Sequence, residues 1–275
     1  MTDQAACISI LQLSDLHILA APDDQMFGIK TEHYFHACLD QAVRLQAQQA
    51  DTEKQHFDLI LLTGDLTQEP SLASYKRILT ALEAYQTPCI CLPGNHDNYA
   101  LMQQVFNTGS INCRKQVLLD NWQLVSLNSQ IPGEPGGRLS NEELDFLESC
   151  LSENADRHAL IAVHHHCLET KSPWMDTMII ENSRELLAIA DKYPQVKAIT
   201  CGHVHQAMDI KAGTYRLLAV PSTCFQFTPK STEPAVDYTA PGYRLIELYA
   251  DGRLESEVVR LPEPLSELQP DAQGY

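Results

Sequence analysis

The sequence of 275 residues contains no run of 18 apolar residues, no internal repeat and no low-complexity linker. Because a transmembrane helix needs about 20 consecutive apolar residues, we predict none. No basic stretch precedes the weakly apolar N-terminal segment, which Asp15 and His17 interrupt, and this argues against a secretory signal. We therefore predict a cytoplasmic protein with no membrane partner.

No shift in composition divides the chain, although its length would suffice for one large domain or two small ones. We predict a single domain over residues 1–262. Pro262, Pro264 and Pro270 mark residues 263–275 as a C-terminal tail, which we expect to be poorly packed.

The nine cysteines are scattered along the chain and include no C-x-x-C pair. This pattern predicts free thiols, mostly buried as small apolar residues, in a reducing compartment. Cys89 and Cys91 lie two residues apart in an apolar, strand-like run and point to one face. Packing within a strand explains this pair better than a metal site does.

Basic residues are scarce, with 19 Lys and Arg against 36 Asp and Glu, so the formal net charge is −17. Such a surface repels the phosphates of nucleic acids at long range, and we expect neither DNA nor RNA as a partner. The same field repels a small anionic substrate. A site for a phosphate ester would therefore need local positive charge, which metal ions would supply.

Short apolar runs alternate with helical patterns along most of the chain. We predict strands at Ile8–Ser14, Leu59–Thr63, Cys89–Pro93, Trp122–Asn128, His158–Val163, Val196–Cys201, Tyr215–Val220, Tyr243–Tyr249 and Leu254–Arg260. We predict helices at His33–Gln49, Ser71–Tyr85, Ser140–Leu151 and Asn182–Lys192, the last two begun by the cap pairs Ser140 with Glu143 and Asn182 with Glu185. About ten strands are too many for one small sheet. We therefore predict an α/β fold in which two sheets pack face to face with helices outside.

Five of these strands end directly before potential metal ligands. The motifs are Asp15-Leu16-His17, Gly64-Asp65, Gly94-Asn95-His96-Asp97, His164-His165-His166 and Gly202-His203-Val204-His205. The carboxyl edge of an open α/β sheet is where ligands bind, and a glycine lets the backbone turn sharply as a strand ends. Each motif alone has an ordinary structural explanation, but all five together predict a metal site.

The ligand types at these strand ends are carboxylate, imidazole and amide oxygen, without thiolate. Such a set suits manganese, iron, zinc or similar divalent ions. Two ions that share a bridging carboxylate form a clamp for the attacking and leaving oxygens of a phosphoryl transfer. The pattern therefore indicates a metal-dependent phosphoesterase.

The five motifs resemble the full motif set of the calcineurin-like metallophosphoesterases, and the resemblance covers nearly the whole chain. Outside the metal motifs, 137–140, 221–227 and 240–244 are similar to the bacterial 3′,5′-cyclic AMP phosphodiesterases of that superfamily. The resemblance implies a four-layer αββα sandwich of two mixed sheets. It also implies two divalent ions per chain, Fe²⁺ and/or Mn²⁺ with Zn²⁺ as a further option, and a bridging water or hydroxide.

The resemblance also implies an assignment of ligands. One ion would be held by Asp15, His17 and His205, the other by Asn95, His164 and His203, with Asp65 as the bridge. We expect the substrate to lie near His17, Asp65, Asn95, His96 and His205.

Several polar residues near the motifs are not needed as ligands. We expect His96 to act in catalysis, by stabilising the transition state or protonating the leaving oxygen. We expect His165 and His166 to support the ligands and Asp97 to position its loop.

Three functions are compatible with these residues. The first is hydrolysis of 3′,5′-cyclic AMP to 5′-AMP, in which the bridging hydroxide attacks phosphorus opposite the 3′ oxygen. The second is a broader phosphodiesterase acting on glycerophosphodiesters, 2′,3′-cyclic nucleotides or nucleotide diphosphates, which the metal motifs alone do not distinguish from the first. The third is a binding scaffold without catalysis, and the intact ligand set and His96 argue against it.

Overall fold

The computed structural model describes residues 7–49 and 56–270. In chain order its elements are β1 (Cys7–Leu13), α1 (Thr31–Gln49), β2 (Leu59–Thr63), α2 (Leu72–Glu83), β3 (Cys89–Leu92), α3 (Tyr99–Val105), β4 (Ile111–Asn112), β5 (Gln116–Leu119), β6 (Trp122–Ser126), α4 (Asn141–Glu153), β7 (His158–Val163), a 3₁₀ turn (Met175–Met178), α5 (Ser183–Lys192), β8 (Val196–Cys201), β9 (Met208–Ala212), β10 (Tyr215–Ala219), β11 (Gln226–Phe227), β12 (Val236–Asp237), β13 (Gly242–Tyr249) and β14 (Leu254–Arg260).

These strands form two six-stranded mixed sheets and a small β11–β12 pair. The first sheet has the order β14-β13-β1-β2-β3-β4, in which β1 to β4 are parallel, β13 is antiparallel to β1, and β14 is antiparallel to β13. The second has the order β5-β6-β7-β8-β10-β9, with β6, β7, β8 and β10 parallel and antiparallel strands at both edges. The predicted pair of mixed sheets is confirmed.

The apolar residues of each strand divide between two layers, because successive side chains point to opposite faces. Along β1, Ile8 and Ile10 pack against the second sheet, whereas Leu11 and Leu13 pack under α1 and α2. The outer face of the second sheet is covered by α4 and α5. The predicted arrangement of helices outside two stacked sheets is thus confirmed.

A buried glutamine joins the two sheets below their carboxyl edges. Nε2 of Gln12 donates to Oγ1 of Thr63 at 3.1 Å, and the hydroxyl of Thr200 donates to Oε1 of Gln12 at 2.7 Å. Because Gln12 and Thr63 belong to the first sheet and Thr200 to the second, these bonds fix how the two edges meet.

Both predicted cap pairs differ from the structure. The Ser140 side chain accepts from the backbone N–H of Glu143, but the Glu143 carboxylate bonds Lys115 and the N–H of Asn128 instead of completing a capping box. Asn182 makes no cap bond, because its amide pairs with the backbone of Leu139. The local contacts are only partly lost, because Ser140 keeps its cap bond and Nδ2 of Asn182 also donates to the Glu185 carboxylate at 3.3 Å.

The expectation of a poorly packed tail is wrong for its described part, residues 263–270. Leu265 and Leu268 are buried in the core beneath the second sheet. The N–H of Leu265 donates to the carbonyl of Tyr238, and the N–H of Gln269 donates to the carbonyl of Phe27. The prolines shape this segment without preventing its leucines from packing.

The nine cysteines, all within the described residues, are free thiols, and seven of them are buried. This confirms the prediction from their spacing. No helix within residues 7–49 and 56–270 is long and apolar enough to cross a membrane.

Candidate metal centre

The loops after β1, β2, β3, β7 and β8 meet where the carboxyl edges of the two sheets adjoin. Backbone hydrogen bonds link neighbouring loops: the N–H of Asp15 donates to Gly64, that of His17 to Asp65, and that of Gly202 to His164, at 2.9–3.0 Å. The five predicted motifs therefore share one position in the fold, as their places at strand ends indicated.

The backbone of this centre is strained. Five of the predicted ligands have positive φ angles of 45–66°, in the left-handed region that side chains with a Cβ seldom occupy: Asp15, His17, Asp65, His203 and His205. Each such residue costs on the order of 1–3 kcal/mol, and strain of this kind concentrates at functional sites.

The glycines before the ligands serve two purposes. Gly64 has a φ of +93°, which confirms the predicted sharp turn. At Gly94 and Gly202 glycine is needed because there is no room for a side chain. An added Cβ would lie 2.1 Å from Oδ1 of Asp65 at Gly94 and 2.0 Å from Oγ of Ser14 at Gly202. Glycine there allows the loops to pack closely.

Two imidazoles face each other through atoms that both accept hydrogen bonds. Nδ1 of His17 lies 2.7 Å from Oε1 of Gln68, and Nδ1 of His205 lies 2.9 Å from the carbonyl oxygen of Phe225. An oxygen at Nδ1 places the ring proton there and leaves a lone pair on Nε2. The two Nε2 atoms are 3.2 Å apart, and Oδ1 of Asp15 lies 3.4 Å from Nε2 of His205. Acceptors this close repel one another unless a cation binds between them.

A second group of acceptors surrounds His164. Its Nδ1 lies 2.7 Å from the carbonyl oxygen of Thr63, while Nε2 lies 3.2 Å from Oδ1 of Asn95 and 3.3 Å from Oδ2 of Asp65. Either a proton on Nε2 or a cation in its place satisfies these oxygens. The same Oδ2 lies 3.9 Å from Nε2 of His17, so Asp65 lies between the two groups.

His203 belongs to the second group and is 1% exposed. Neither of its ring nitrogens has a hydrogen-bond partner among the described residues, although buried polar atoms are nearly always paired. Its backbone N–H donates to both carboxylate oxygens of Asp15 at 3.1 Å, which fixes the residue in place. Such an imidazole suits a metal ligand, and the side chains of both groups fit two divalent ions.

Burial and charge set the protonation of these ligands. Burial lowers the pKa of His17 to about 3, so its imidazole is neutral at pH 7. Burial also lowers the pKa of His164, but the Asp65 carboxylate opposes it and raises that pKa to about 9. Burial raises the pKa of Asp65, yet His164 and His96 outweigh it and hold it well below its ordinary value. A cation that binds beside His164 must therefore displace a proton.

The sequence profile of the calcineurin-like phosphoesterases matches residues 8–207, which contain all five motifs. The chain is a calcineurin-like phosphoesterase. The resemblance indicated by the motifs is confirmed.

Curated relatives match this phosphoesterase over almost its whole length. The 3′,5′-cyclic adenosine monophosphate phosphodiesterase CpdA of Escherichia coli is 38% identical over 273 residues, which cover 98% of this chain and 96% of the relative. The 3′,5′-cyclic-nucleotide phosphodiesterase alr5338 of Nostoc is 37% identical over 258 residues, 94% of each chain.

Solved structures share the fold of the phosphoesterase at low sequence identity. A dimetal phosphatase from Danio rerio matches with a TM-score of 0.60 and 12% identity, covering 93% of this chain and 99% of that one. GAP50, the anchor in the inner membrane complex of Plasmodium, matches with a TM-score of 0.61 and 12% identity, covering 97% and 87%. These likenesses support the four-layer architecture.

Every residue predicted for the site lies in or beside the two acceptor groups. They are Asp15, His17, Asp65, Asn95, His96, His164, His203 and His205. Their assignment to individual ions stays a prediction.

His165 and His166 lie against the second group of the phosphoesterase. His165 is within reach of the ligand atoms of His164 and His203. However, its Nδ1 lies 2.7 Å from Oγ of Ser129 and its Nε2 lies 3.2 Å from the carbonyl oxygen of Pro135. The rings of His165 and His166 lie 4.7 and 5.6 Å from that of His203. These contacts favour the predicted supporting role.

Asp97 ties two site loops together. Its carboxylate accepts from the backbone N–H groups of Leu66, Thr67 and Gly94 at 3.0–3.3 Å. This confirms that it positions its loop. Gln130, which no motif indicated, adds a second tie: its Nε2 donates to the carbonyls of Gly94 and Asp97 at 2.9 and 2.6 Å.

His96 lies at the accessible side of the phosphoesterase site, where it and Asn95 are half-buried while the other predicted ligands are buried. Its N–H donates to Oδ1 of Asp65 at 2.9 Å, and its Nδ1 lies 3.3 Å from the carbonyl oxygen of Gln68. A ring nitrogen of His96 is also within reach of the ligand atoms of His17 and Asp65. His96 thus adjoins the predicted ligands at the more accessible side of the site.

Proposed function

We propose that this chain hydrolyses 3′,5′-cyclic AMP to 5′-AMP with two divalent metal ions. The observation that supports it most is the pair of buried acceptor groups that meet at Asp65, because a two-metal hydrolase needs two adjacent cation sites. The choice of substrate rests on the similarity, over 98% of the chain, to an enzyme named for cyclic AMP.

The proposed ligands follow the two acceptor groups. Asp15, His17 and His205 would hold one ion, Asn95, His164 and His203 would hold the other, and Asp65 would contact both. Carboxylate, imidazole and amide oxygen without thiolate suit Fe²⁺ and Mn²⁺, and also Zn²⁺. When bound, the two ions supply positive charge to the phosphate oxygens and make water nucleophilic at neutral pH.

His96 is proposed to deliver the proton that the leaving oxygen needs. Its Nδ1 faces the carbonyl oxygen of Gln68, which keeps a proton on Nδ1, so the form that can donate from Nε2 to the 3′ oxygen of the nucleotide is the imidazolium, with a proton on both ring nitrogens. Attack on phosphorus opposite that oxygen breaks the bond to the 3′ oxygen and leaves the phosphate on the 5′ side. The product is therefore 5′-AMP.

The proposed partner is a single nucleotide, and the proposed location is the cytoplasm. A net charge of −17 disfavours a long polyanion more than a ligand with one phosphate. Nine free thiols, all within the described residues, suit a reducing compartment.

The experiment is a substrate panel with protein stripped of metal and then reconstituted separately with Fe²⁺, Mn²⁺ and Zn²⁺. The panel contains 3′,5′-cyclic AMP, 3′,5′-cyclic GMP, 2′,3′-cyclic AMP and glycerophosphocholine, with products separated by chromatography. We expect 5′-AMP to accumulate from 3′,5′-cyclic AMP. Predominant 3′-AMP would contradict the direction of attack. Rapid turnover of glycerophosphocholine without turnover of cyclic AMP would support the broader phosphodiesterase instead.

A further inference from the structure

The ligand imidazoles predicted for the metal centre are held in different ways. Nδ1 of His164 and Nδ1 of His205 lie 2.7 and 2.9 Å from backbone carbonyl oxygens. Neither ring nitrogen of His203 has a hydrogen-bond partner among the described residues. His17 differs from all three, because its Nδ1 lies 2.7 Å from a side-chain atom, Oε1 of Gln68. A substitution can remove that acceptor, whereas it cannot remove a backbone carbonyl.

Gln68 is also fixed beside His17 through its backbone. Its N–H donates to the carbonyl of Ile18, and the N–H of Ile18 donates to the carbonyl of Leu66, both at 3.1 Å. The loops after β1 and β2 therefore run side by side, and the half-buried Gln68 side chain starts from a fixed point. The carbonyl oxygen of Gln68 lies 3.3 Å from Nδ1 of His96. The residue thus contacts a predicted ligand through its side chain and the proposed proton donor through its backbone.

The bond to Gln68 determines which nitrogen of His17 carries the proton. A neutral imidazole has one N–H, and an amide oxygen accepts a hydrogen bond without donating one, so Oε1 keeps the proton on Nδ1. Nε2 of His17 then keeps its lone pair, 3.2 Å from Nε2 of His205 and 3.9 Å from Oδ2 of Asp65. Without the Gln68 acceptor, these two neighbours stabilise a proton on Nε2 instead. A cation that binds there then has to displace that proton.

We propose that Gln68 is a positioning residue that sets the affinity of the chain for the ion at Asp15, His17 and His205, an inference that rests on the proposed two-metal function. It holds His17 in the tautomer and ring orientation of a metal ligand before an ion binds. Removing such a partner from behind a metal-binding histidine typically changes metal affinity 10–100-fold. Because His205 uses a backbone carbonyl for the same purpose, residue 68 is the position at which a substitution changes this affinity.

Two replacements at position 68 separate the acceptor from the rest of the side chain. Gln68→Met keeps the length of the side chain but has only a weakly accepting sulfur. Gln68→Glu keeps an oxygen acceptor and adds a negative charge, which makes the imidazole a more basic ligand. Gln195→Met is the matched control, because Gln195 is also half-buried and loses one hydrogen bond, from its Nε2 to the carbonyl of Leu151 at 2.8 Å. Gln195 directly precedes β8, whereas the metal centre follows the other end of that strand.

The primary measurement is the affinity of the metal-free proteins for Mn²⁺ by isothermal titration calorimetry, with bound ions counted by elemental analysis. We expect Gln68→Met to bind one of its two ions about 10–100-fold more weakly than wild-type protein. Gln68→Glu should bind that ion at least as tightly as wild-type protein, and Gln195→Met should be unchanged. In excess Mn²⁺, kcat of Gln68→Met for cyclic AMP should recover, because the backbone carbonyl that faces His96 is retained.

Nitrogen-15 NMR of the metal-free proteins reports the tautomer of His17 without metal or turnover. Correlations between the ring protons and ring nitrogens distinguish a proton on Nδ1 from one on Nε2. The signals of His17 are identified by their absence from the spectrum of His17→Gln. We expect the proton on Nδ1 in wild-type protein and in Gln68→Glu, and a population with the proton on Nε2 in Gln68→Met.

The outcomes separate this inference from the proposed function. If wild-type protein binds two ions and Gln68→Met binds both as tightly, with the proton of His17 still on Nδ1, Gln68 has no positioning role. An equal loss of affinity in Gln68→Met and Gln68→Glu, or in Gln68→Met and Gln195→Met, would also overturn the role of the acceptor. If wild-type protein binds two ions in a way that depends on Gln68, yet does not hydrolyse cyclic AMP, the proposed substrate is wrong and the role of Gln68 stands.

Discussion

Replacing Gly94 with alanine tests how closely the loops of the metal centre are packed. The added Cβ would lie 2.1 Å from Oδ1 and 2.3 Å from the backbone nitrogen of Asp65. Real Cβ contacts are not shorter than 3.0 Å, so the backbone of Asp65 has to move by roughly 0.7 Å, since a backbone atom cannot rotate away as a side chain can. That shift breaks the bond from the N–H of His96 to Oδ1 and withdraws Oδ2 from His164.

The cost of Gly94→Ala follows from this overlap. Inserting a methyl group into a packed interior costs about 1–3 kcal/mol in the free energy of unfolding. Each kcal/mol lowers the Tm of a chain of this size by about 2–4 °C. Because Asp65 is proposed to contact both ions, we also expect metal affinity to fall by about 10–100-fold, the range typical of a disturbed ligand support.

The measurements are metal content after dialysis, by elemental analysis, and Tm by calorimetry. Gly109→Ala is the control, because an added Cβ there meets no atom within 4 Å. If Gly94→Ala retained two ions per chain and had the same Tm as Gly109→Ala, the close packing of the Gly94 and Asp65 loops would be refuted.

Three further predictions concern the ligands and the neighbouring imidazole. Asp65→Ala should lose hydrolysis and at least one bound ion per chain, measured by elemental analysis. His96→Ala should keep both ions while kcat for cyclic AMP falls about 10²–10⁴-fold, with a smaller loss for p-nitrophenyl esters, whose leaving group needs no proton. Because the pKa of His164 is raised to about 9 in the metal-free chain, metal binding should displace one proton, and affinity measured by titration should rise about tenfold per pH unit between pH 6 and 8.

Each of these has an outcome that contradicts it. Two ions and an unchanged rate in Asp65→Ala would overturn the bridging assignment. Equal losses with cyclic AMP and p-nitrophenyl esters would exclude His96 as the proton donor, and loss of an ion in His96→Ala would make it a ligand. Metal affinity independent of pH would show that His164 holds no proton in the metal-free chain.

The site was predictable from the sequence because its ligands follow buried parallel strands. Apolar runs such as Leu59–Thr63 fix where a strand ends, and parallel strands in one sheet end at one edge. The residues that orient the ligands carry no such signal. Gln12, Gln68 and Gln130 are ordinary polar residues in the sequence, and only the packing of distant segments gives them partners.

The errors at helix ends and in the tail have a related cause. Local rules favoured a cap at Asn182, but the backbone of Leu139 offered its amide two hydrogen bonds. The prolines led us to predict a poorly packed tail, but Leu265 and Leu268 are buried in the core. Three strands at sheet edges, Ile111–Asn112, Gln116–Leu119 and Met208–Ala212, were not predicted, because they are short and only partly buried and show little apolar pattern.

The proposed metal ligands lie far apart in the sequence, so the site is completed late in the synthesis of the chain. His17 and His205 are 188 positions apart, an interval that a ribosome covers in roughly 10–40 s at about 5–20 residues per second. The strand β13, which pairs with β1 from Cys7 to Gln12, emerges later still. Until His203 and His205 have been made, neither acceptor group has all of its proposed ligands, although Asp15 and Asp65 are made much earlier. The full proposed ligand set therefore exists only once about three quarters of the chain has been made, so that neither ion can be held by all of its proposed ligands before then.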